Sequence, residues 1–345
     1  MFHLESKIKN GGVYVIAEMS ANHSGKLENA LKIVREASRI GADCLKIQTY
    51  TADSITIKSD NDYFKIKGGL WDGYTLYDLY QEAGTPYEWH KTIKDECDKL
   101  GIDFLSTPFD KNAVDFLESL GVEAYKIASF ELVDIPLIEY TASKGKPMII
   151  SCGMASKEEI KDAVDACKRV GNDKITLLKC CSDYPANWED MHLANIEEMK
   201  NTFNVNVGLS DHSMGSLASV VAIGKGATVI EKHICLSRKI KNPDSAFSME
   251  IEEFEQLIKD CASAKKIIGN VHFGPSANEE KNLKFRRSLF AVKDIKKGER
   301  FTEENVRSIR PSDGIKPKYY STLLGKTAKR DIPYGTPILV KDYED

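Results

Sequence analysis

Eight short runs rich in apolar and β-branched residues recur along the first 234 residues, at 13–19, 44–50, 103–109, 124–129, 147–153, 174–181, 206–212 and 229–234. Between most of them lie helical patterns, such as 27–40 and 157–170, with apolar residues at i, i+3 and i+4. Several runs follow a glycine able to close a helix in the left-handed conformation: Gly41, Gly101, Gly121 and Gly226. Eight such units within roughly 265 residues match the size and count of a (β/α)8 barrel. A doubly wound sheet usually has fewer strands and a Gly-x-Gly-x-x-Gly after the first, which this chain lacks.

At 345 residues the chain exceeds one core of typical size, so a second, smaller domain is expected. With 42% hydrophobic and 29% charged residues, a disordered, collagen-like or disulfide-scaffold chain is excluded. No apolar run is long enough to span a membrane. Residues 1–7 lack the apolar core of a secretory signal, which predicts a cytoplasmic protein. The cysteines agree, since Cys44, Cys152, Cys180, Cys181 and Cys235 sit in or beside apolar runs and none forms Cys-x-x-Cys.

The net charge of −4 conceals an asymmetry. Residues 281–345 carry 16 Lys+Arg against 9 Asp+Glu, whereas the rest carries 32 against 43. A basic tail beside an acidic body suits anionic substrates or the acidic domain of a partner subunit. It has neither long Lys/Arg runs nor a nucleic-acid motif, so nucleic acid is not expected as a partner.

Two stretches break the alternation. The 59 residues from Gln48 to Thr107 contain an excess around 60–80, rich in Gly, Asp and aromatics. Such a βα loop suits a lid that stacks on a sugar. Tyr63, Phe64 and Trp71 are among its aromatics. After Ile268 the pattern stops, giving a barrel over 1–268, a linker over 269–284 and a small β-rich domain over 285–345. That domain holds an internal echo, Asp294-Ile-Lys-Lys-Gly298 and Asp331-Ile-Pro-Tyr-Gly335.

Barrel active sites are built at the C-terminal ends of the strands. Here those ends carry Glu18, Asn22 and His23; Lys46 and Gln48; Thr107; Lys126 and Ser129; Ser151; Ser182 and Tyr184; Asp211 and His212; Glu231 and His233. Lys46 and Gln48 share one face, as do Glu231 and His233. The lysines with Ser129 and Ser151 suit phosphate and carboxylate together, while the bland alternative for each lysine is a salt bridge inside the barrel, for instance with Glu18. His212 and His233 end adjacent strands and suit one exchangeable Mn2+ or Mg2+, completed by water and substrate oxygens. His3, His90, His192 and His272 read as surface residues.

These residues also carry a resemblance. Ala17-Glu-Met-Ser-Ala-Asn-His23, Gly41-Ala-Asp-Cys-Leu-Lys-Ile-Gln-Thr-Tyr50, Ser106-Thr-Pro-Phe109, Tyr125-Lys-Ile-Ala-Ser129, Gly208-Leu-Ser-Asp-His212 and Glu231-Lys-His233 resemble the sialic acid synthase family. The first motif and the 60–73 segment look most like its pseudaminic acid synthase branch. The last 60 or so residues, with Arg310-Pro-Ser-Asp-Gly-Ile and Leu324-Gly-Lys326, resemble the family's antifreeze-like (SAF) domain.

The resemblance implies condensation of phosphoenolpyruvate with an open-chain amino sugar, 2,4-diacetamido-2,4,6-trideoxy-L-altrose for that branch, with release of phosphate. It implies a divalent metal on His212 and His233 as Lewis acid, and proton transfer by Glu18 and Glu231. Lys46, Lys126, Ser129 and Ser151 then hold phosphate and carboxylate and stabilise the departing charge, with Thr107 as a further substrate contact. Gln48, Ser182, Tyr184 and Asp244 contact substrate, and Arg310 reaches the sugar from the neighbouring subunit of a domain-exchanged homodimer. N-acetylneuraminate and legionaminic acid synthesis are the nearest alternatives. A non-catalytic carbohydrate-binding protein predicts decayed strand ends, and a metal-dependent hydrolase wants more His and Asp ligands.

Overall fold

The computed structural model describes residues 2–343, which divide into one compact unit ending at Gly269 and a second beginning at Asn270. The first unit holds eight strands: β1 (Tyr14–Glu18), β2 (Cys44–Thr49), β3 (Asp103–Pro108), β4 (Tyr125–Ile127), β5 (Met148–Ser151), β6 (Ile175–Cys180), β7 (Asn206–Asp211) and β8 (Val229–His233). Each lies within one of the eight apolar runs. All pair in parallel in the order β3-β2-β1-β8-β7-β6-β5-β4, and the outermost two, β3 and β4, lie against one another. This is a (β/α)8 barrel.

Local chemistry accounts for the helices around it. The helix Leu27–Arg39 turns Ala30, Ile33, Val34 and Ala37 inward, the spacing of an apolar stripe. Ser156 and Glu159 form a capping box that starts Lys157–Arg169. Tyr87–Leu100 ends where Gly101 adopts φ 71°, which a side chain would resist.

The barrel interior is divided by height. At the N-terminal ends of the strands Tyr14, Ile16, Cys44, Leu105, Ile149, Leu178 and Val229 form an apolar cluster with Leu4 of the short helix Leu4–Lys9. Lys7 ties that helix to Asp43 at 2.7 Å, and His3 is 2.7 Å from Asp103. Beyond this floor the inward positions become polar.

Two expectations are corrected. His90 is not a surface residue. It is fully buried on the inward stripe of its helix with Ile93 and Cys97, its Nε2 2.8 Å from Thr49 Oγ1 and its Nδ1 3.0 Å from the Pro86 carbonyl. Asp211 ends β7 but faces away from the barrel axis, because period-two alternation gives the inner face to Ser210 and His212. Its carboxylate pairs with Lys232 at 3.0 Å and accepts the hydroxyls of Ser213 and Ser219, both at 2.7 Å.

In the second unit β9 (Ser288–Ala291) and β10 (Val306–Ile309) pair antiparallel over a core of Leu289, Phe301, Val306, Leu323, Ile332 and Ile338. The sequence echo is a structural one. Ile295 and Ile332 bridge each other, the Lys297 N–H donates to Asp331 Oδ1 at 2.8 Å, and the Tyr334 N–H donates to Asp294 Oδ1 at 2.7 Å. Each repeat thus caps the turn of the other.

The buried Asp211–Lys232 pair yields a prediction. Lys232→Ala leaves a desolvated carboxylate behind, so urea denaturation should show a loss of about 3–5 kcal/mol. A loss under about 1 kcal/mol would show that water replaces the ammonium.

Candidate active site

Above the apolar floor, four charged side chains from four strands meet in one buried layer. Lys46 Nζ lies 2.5 Å from Glu18 Oε2, and Glu231 Oε1 lies 3.5 Å from both Lys46 Nζ and Lys126 Nζ. None exceeds 4% exposure. Register explains the meeting, since Glu18 is level with Lys46 on one side and His233 on the other. The expected alternative for Lys46, a salt bridge to Glu18, is therefore present. Polar neighbours complete the layer: Lys126 donates to Ser151 Oγ at 2.6 Å, Ser210 donates to Glu231 at 3.0 Å, and Lys46 lies 3.5 Å from Thr107 Oγ1.

The two carboxyls differ in environment. Burial pushes Glu18 up, and Lys46 only partly opposes it. Burial also acts on Glu231, but Lys126 and Lys46 outweigh it and hold that group below its ordinary range. Lys46 is raised, because Glu18 and Glu231 overcome its burial, whereas Lys126 is lowered by burial. One buried carboxyl is thus set toward the neutral form and the other toward the anion.

Beside Lys126, three strand-end serines gather. Ser129 Oγ accepts the Gly153 N–H at 3.0 Å. A methyl group on Gly153 would stand 2.8 Å from that oxygen and 2.2 Å from Ser182 Oγ, so the absent side chain makes room for both hydroxyls. With Ser151 they line a cationic, hydrogen-bonding cradle.

At the rim stand His212 and His233, ring centroids 5.4 Å apart. Tyr184 stacks on His212 at 4.3 Å and Phe247 lies 4.9 Å from His233. The 60–80 insert reaches this rim through Trp71, which lies 5.6 Å from Tyr184 and donates its indole N–H to the Pro243 carbonyl at 2.9 Å. Tyr63 does not join it, being 88% exposed. Gln48 donates to Ser20 at 2.9 Å and Asp244 accepts the Ala21 N–H at 3.1 Å, stitching the loops after β1 and β8 together.

His212 Nδ1 donates to the Cys181 carbonyl at 2.9 Å, which leaves Nε2 with its lone pair. His233 Nδ1 is buried with no hydrogen-bond partner, and burial followed by the charge of His212 holds the ring neutral. Burial pulls His212 down, but Cys180 and the Cys181 carbonyl outweigh it and raise that ring. Two adjacent imidazoles fit a divalent cation that competes with this proton, its remaining positions belonging to water and substrate. No cluster of three or more potential ligands occurs among the described residues.

The barrel thus brings together Glu18, Lys46, Gln48, Thr107, Lys126, Ser129, Ser151, Ser182, Tyr184, His212, Glu231, His233 and Asp244. Arg310 belongs to the second unit, exposed just after β10. Sequence reasoning missed Ser210, Phe247 and Cys180. Ser210 was accessible to the period-two rule, two residues before His212. Burial pushes the Cys180 thiol up, but His212 and the Ser129 and Ser182 hydroxyls outweigh it and bring it to about 7.

Comparison with known proteins decides the family. The NeuB family model matches residues 33–273, and the SAF domain model matches 286–344. The chain belongs to the NeuB family. The pseudaminic acid synthase of Campylobacter jejuni is 48% identical over 96% of this chain and 97% of its own, and that of Helicobacter pylori is 43% identical with the same coverage. Among solved structures, the N-acetylneuraminic acid synthetase of Leptospira borgpetersenii, in complex with citrate, superposes with a TM-score of 0.71 at 32% identity, covering 79% of this chain and 91% of that one. This NeuB-family member is, like its relatives, an enzyme.

Two predictions concern the surroundings of the site in this NeuB-family enzyme. Gly153→Ala must displace Ser129 or Ser182, so kcat/KM should fall at least about tenfold with an unchanged far-ultraviolet circular dichroism spectrum. Wild-type activity would mean that the two hydroxyls are not where binding occurs. His23 is buried, its Nδ1 accepts the Gly25 N–H at 3.0 Å, and burial lowers it to about 4. The unfolded chain therefore binds this proton first as the pH falls. The stability is complete above about pH 6.5 and is lost down to about pH 4, by roughly 3 kcal/mol. Urea midpoints at pH 7.5 and 5.0 should show a smaller difference for His23→Asn than for the wild type.

Proposed function

We propose that this enzyme joins phosphoenolpyruvate to open-chain 2,4-diacetamido-2,4,6-trideoxy-L-altrose, releasing pseudaminic acid and phosphate. The observation that carries the reading is the buried layer of two lysines and two differently tuned carboxyls beneath a pair of adjacent histidines. The branch rests on the 43–48% identity to pseudaminic acid synthases, against 35% to the N,N'-diacetyllegionaminic acid synthase of Legionella pneumophila.

In this reading Lys46, Lys126, Thr107, Ser129 and Ser151 hold the phosphate and carboxylate of phosphoenolpyruvate, a set of donors aimed at one trianionic ligand. C3 of the enol attacks the aldehyde carbon, a C–C bond forms, and positive charge develops at C2. Glu18, the carboxyl that burial favours in its neutral form, delivers a proton to the aldehyde oxygen. Water adds at C2 and gives its proton to Glu231, which the lysines keep anionic. The tetrahedral intermediate then collapses with C–O cleavage, and Lys126 meets the charge on the departing phosphate. His212 and His233 would hold Mn2+ or Mg2+, which when bound supplies Lewis-acid polarisation of the aldehyde.

Gln48, Ser182, Tyr184 and Asp244 orient the sugar, and Trp71 closes over the Tyr184 side of the rim. Arg310 comes from a neighbouring copy in a domain-exchanged homodimer, which pairs the basic second unit with an acidic barrel. The reaction is assigned to the cytoplasm.

Phosphate release from phosphoenolpyruvate with Mn2+ tests the reading, comparing this sugar with N-acetylmannosamine, each with and without EDTA. Release with the altrose derivative alone, abolished by EDTA, is expected. Release with N-acetylmannosamine alone would keep the mechanism and overturn the sugar. Glu231→Gln should lower kcat by about 100-fold or more while KM for phosphoenolpyruvate stays within about threefold.

A further inference from the structure

Hydrogen bonds tie the turn after β1 to β2 through Ser20 and to the loop after β8 through Ala21, and Ser20 sits in an unfavourable backbone conformation. Ser20 has φ 44°, in the left-handed region that glycine enters freely and serine does not. It is 6% exposed, so solvation does not hold it there. Strained residues that persist at a site are held by what their side chains do.

The Ser20 hydroxyl accepts a hydrogen bond from Gln48 Nε2 at 2.9 Å. The second proton on Gln48 Nε2 points to Glu18 Oε1 at 3.3 Å. Both amide protons of Gln48 are therefore spent inside the protein, and its carbonyl oxygen is what remains to offer. Asp244 Oδ2 takes the Ala21 N–H at 3.1 Å, while Ser248 and Asn22 brace the backbone of the same loop through the Ser248 hydroxyl, at 2.7 and 2.9 Å.

We propose that Ser20 is a positioning residue that fixes the hydrogen-bond polarity of the sugar subsite. By taking one amide proton of Gln48 it leaves the Gln48 carbonyl oxygen to face the substrate as an acceptor, which selects a sugar bringing a donor there, an acetamido N–H or a hydroxyl. Without the Ser20 hydroxyl Gln48 is free to turn its amide over and present a donor instead. The inference rests on the sugar-binding reading given above for Gln48, and it adds the residue that orients it.

Ser20→Gly removes the hydroxyl and relieves the backbone, and Ser20→Ala removes the hydroxyl alone and serves if the glycine variant fails to fold. Steady-state kinetics should show KM for the amino sugar raised about tenfold, the loss of one buried hydrogen bond, with KM for phosphoenolpyruvate within about twofold of wild type. In a Gln48→Ala background Ser20→Gly should add nearly nothing, because Ser20 acts through Gln48. Equal rises in both KM values, or losses that add in the double variant, would overturn the inference while leaving the reaction assigned. A wild-type enzyme that turns over neither sugar would remove the reading first, and this inference with it.

Discussion

The interaction on which the rest depends is the buried alternation of Glu18, Lys46, Glu231 and Lys126. Four desolvated ionisable groups are stable only as a set, since removing one partner leaves its neighbour unpaired in a low dielectric. The set needs a closed barrel, because its members come from β1, β2, β4 and β8, and it needs a dry floor. The Leu4–Lys9 helix and the apolar cluster above it supply that floor. The N-terminal residues thus serve the chemistry although they stand at the opposite end of the strands.

Much of this was legible in the sequence, for an identifiable reason. The periods of strand and helix differ, so eight apolar runs separated by amphipathic stretches define the barrel, and the period of two then names the inward residues. Lys46 with Gln48 and Glu231 with His233 follow directly. The same rule, applied more strictly, excludes Asp211 and finds Ser210. His90 was misplaced because its ring looks polar in isolation, whereas Thr49 and the Pro86 carbonyl satisfy both nitrogens. The role of Ser20 was not legible, because sequence alone does not tie its hydroxyl to a glutamine 28 positions away.

The second unit makes a related point about repeats. Asp294 and Asp331 look like unremarkable turn residues one at a time. Each caps the turn of the other repeat, and the two isoleucines between them bridge in both directions. A short echo thereby becomes a local two-fold, which gives a small unit more mutual hydrogen bonds than its few strand residues alone provide.

The tuning of the carboxyls explains why the layer is built from pairs rather than from free lysines. Two unpaired buried ammoniums repel each other, and burial already draws Lys126 toward its neutral form. Glu231 opposes that drift by lying the same 3.5 Å from both lysines. Glu18 is placed differently, against Lys46 alone at 2.5 Å, in surroundings that favour its neutral form. In the proposed reaction an anion arriving beside Lys46 would compete for that ammonium, and Glu18, already disposed toward its neutral form, would take up a proton instead of standing as an unpaired charge.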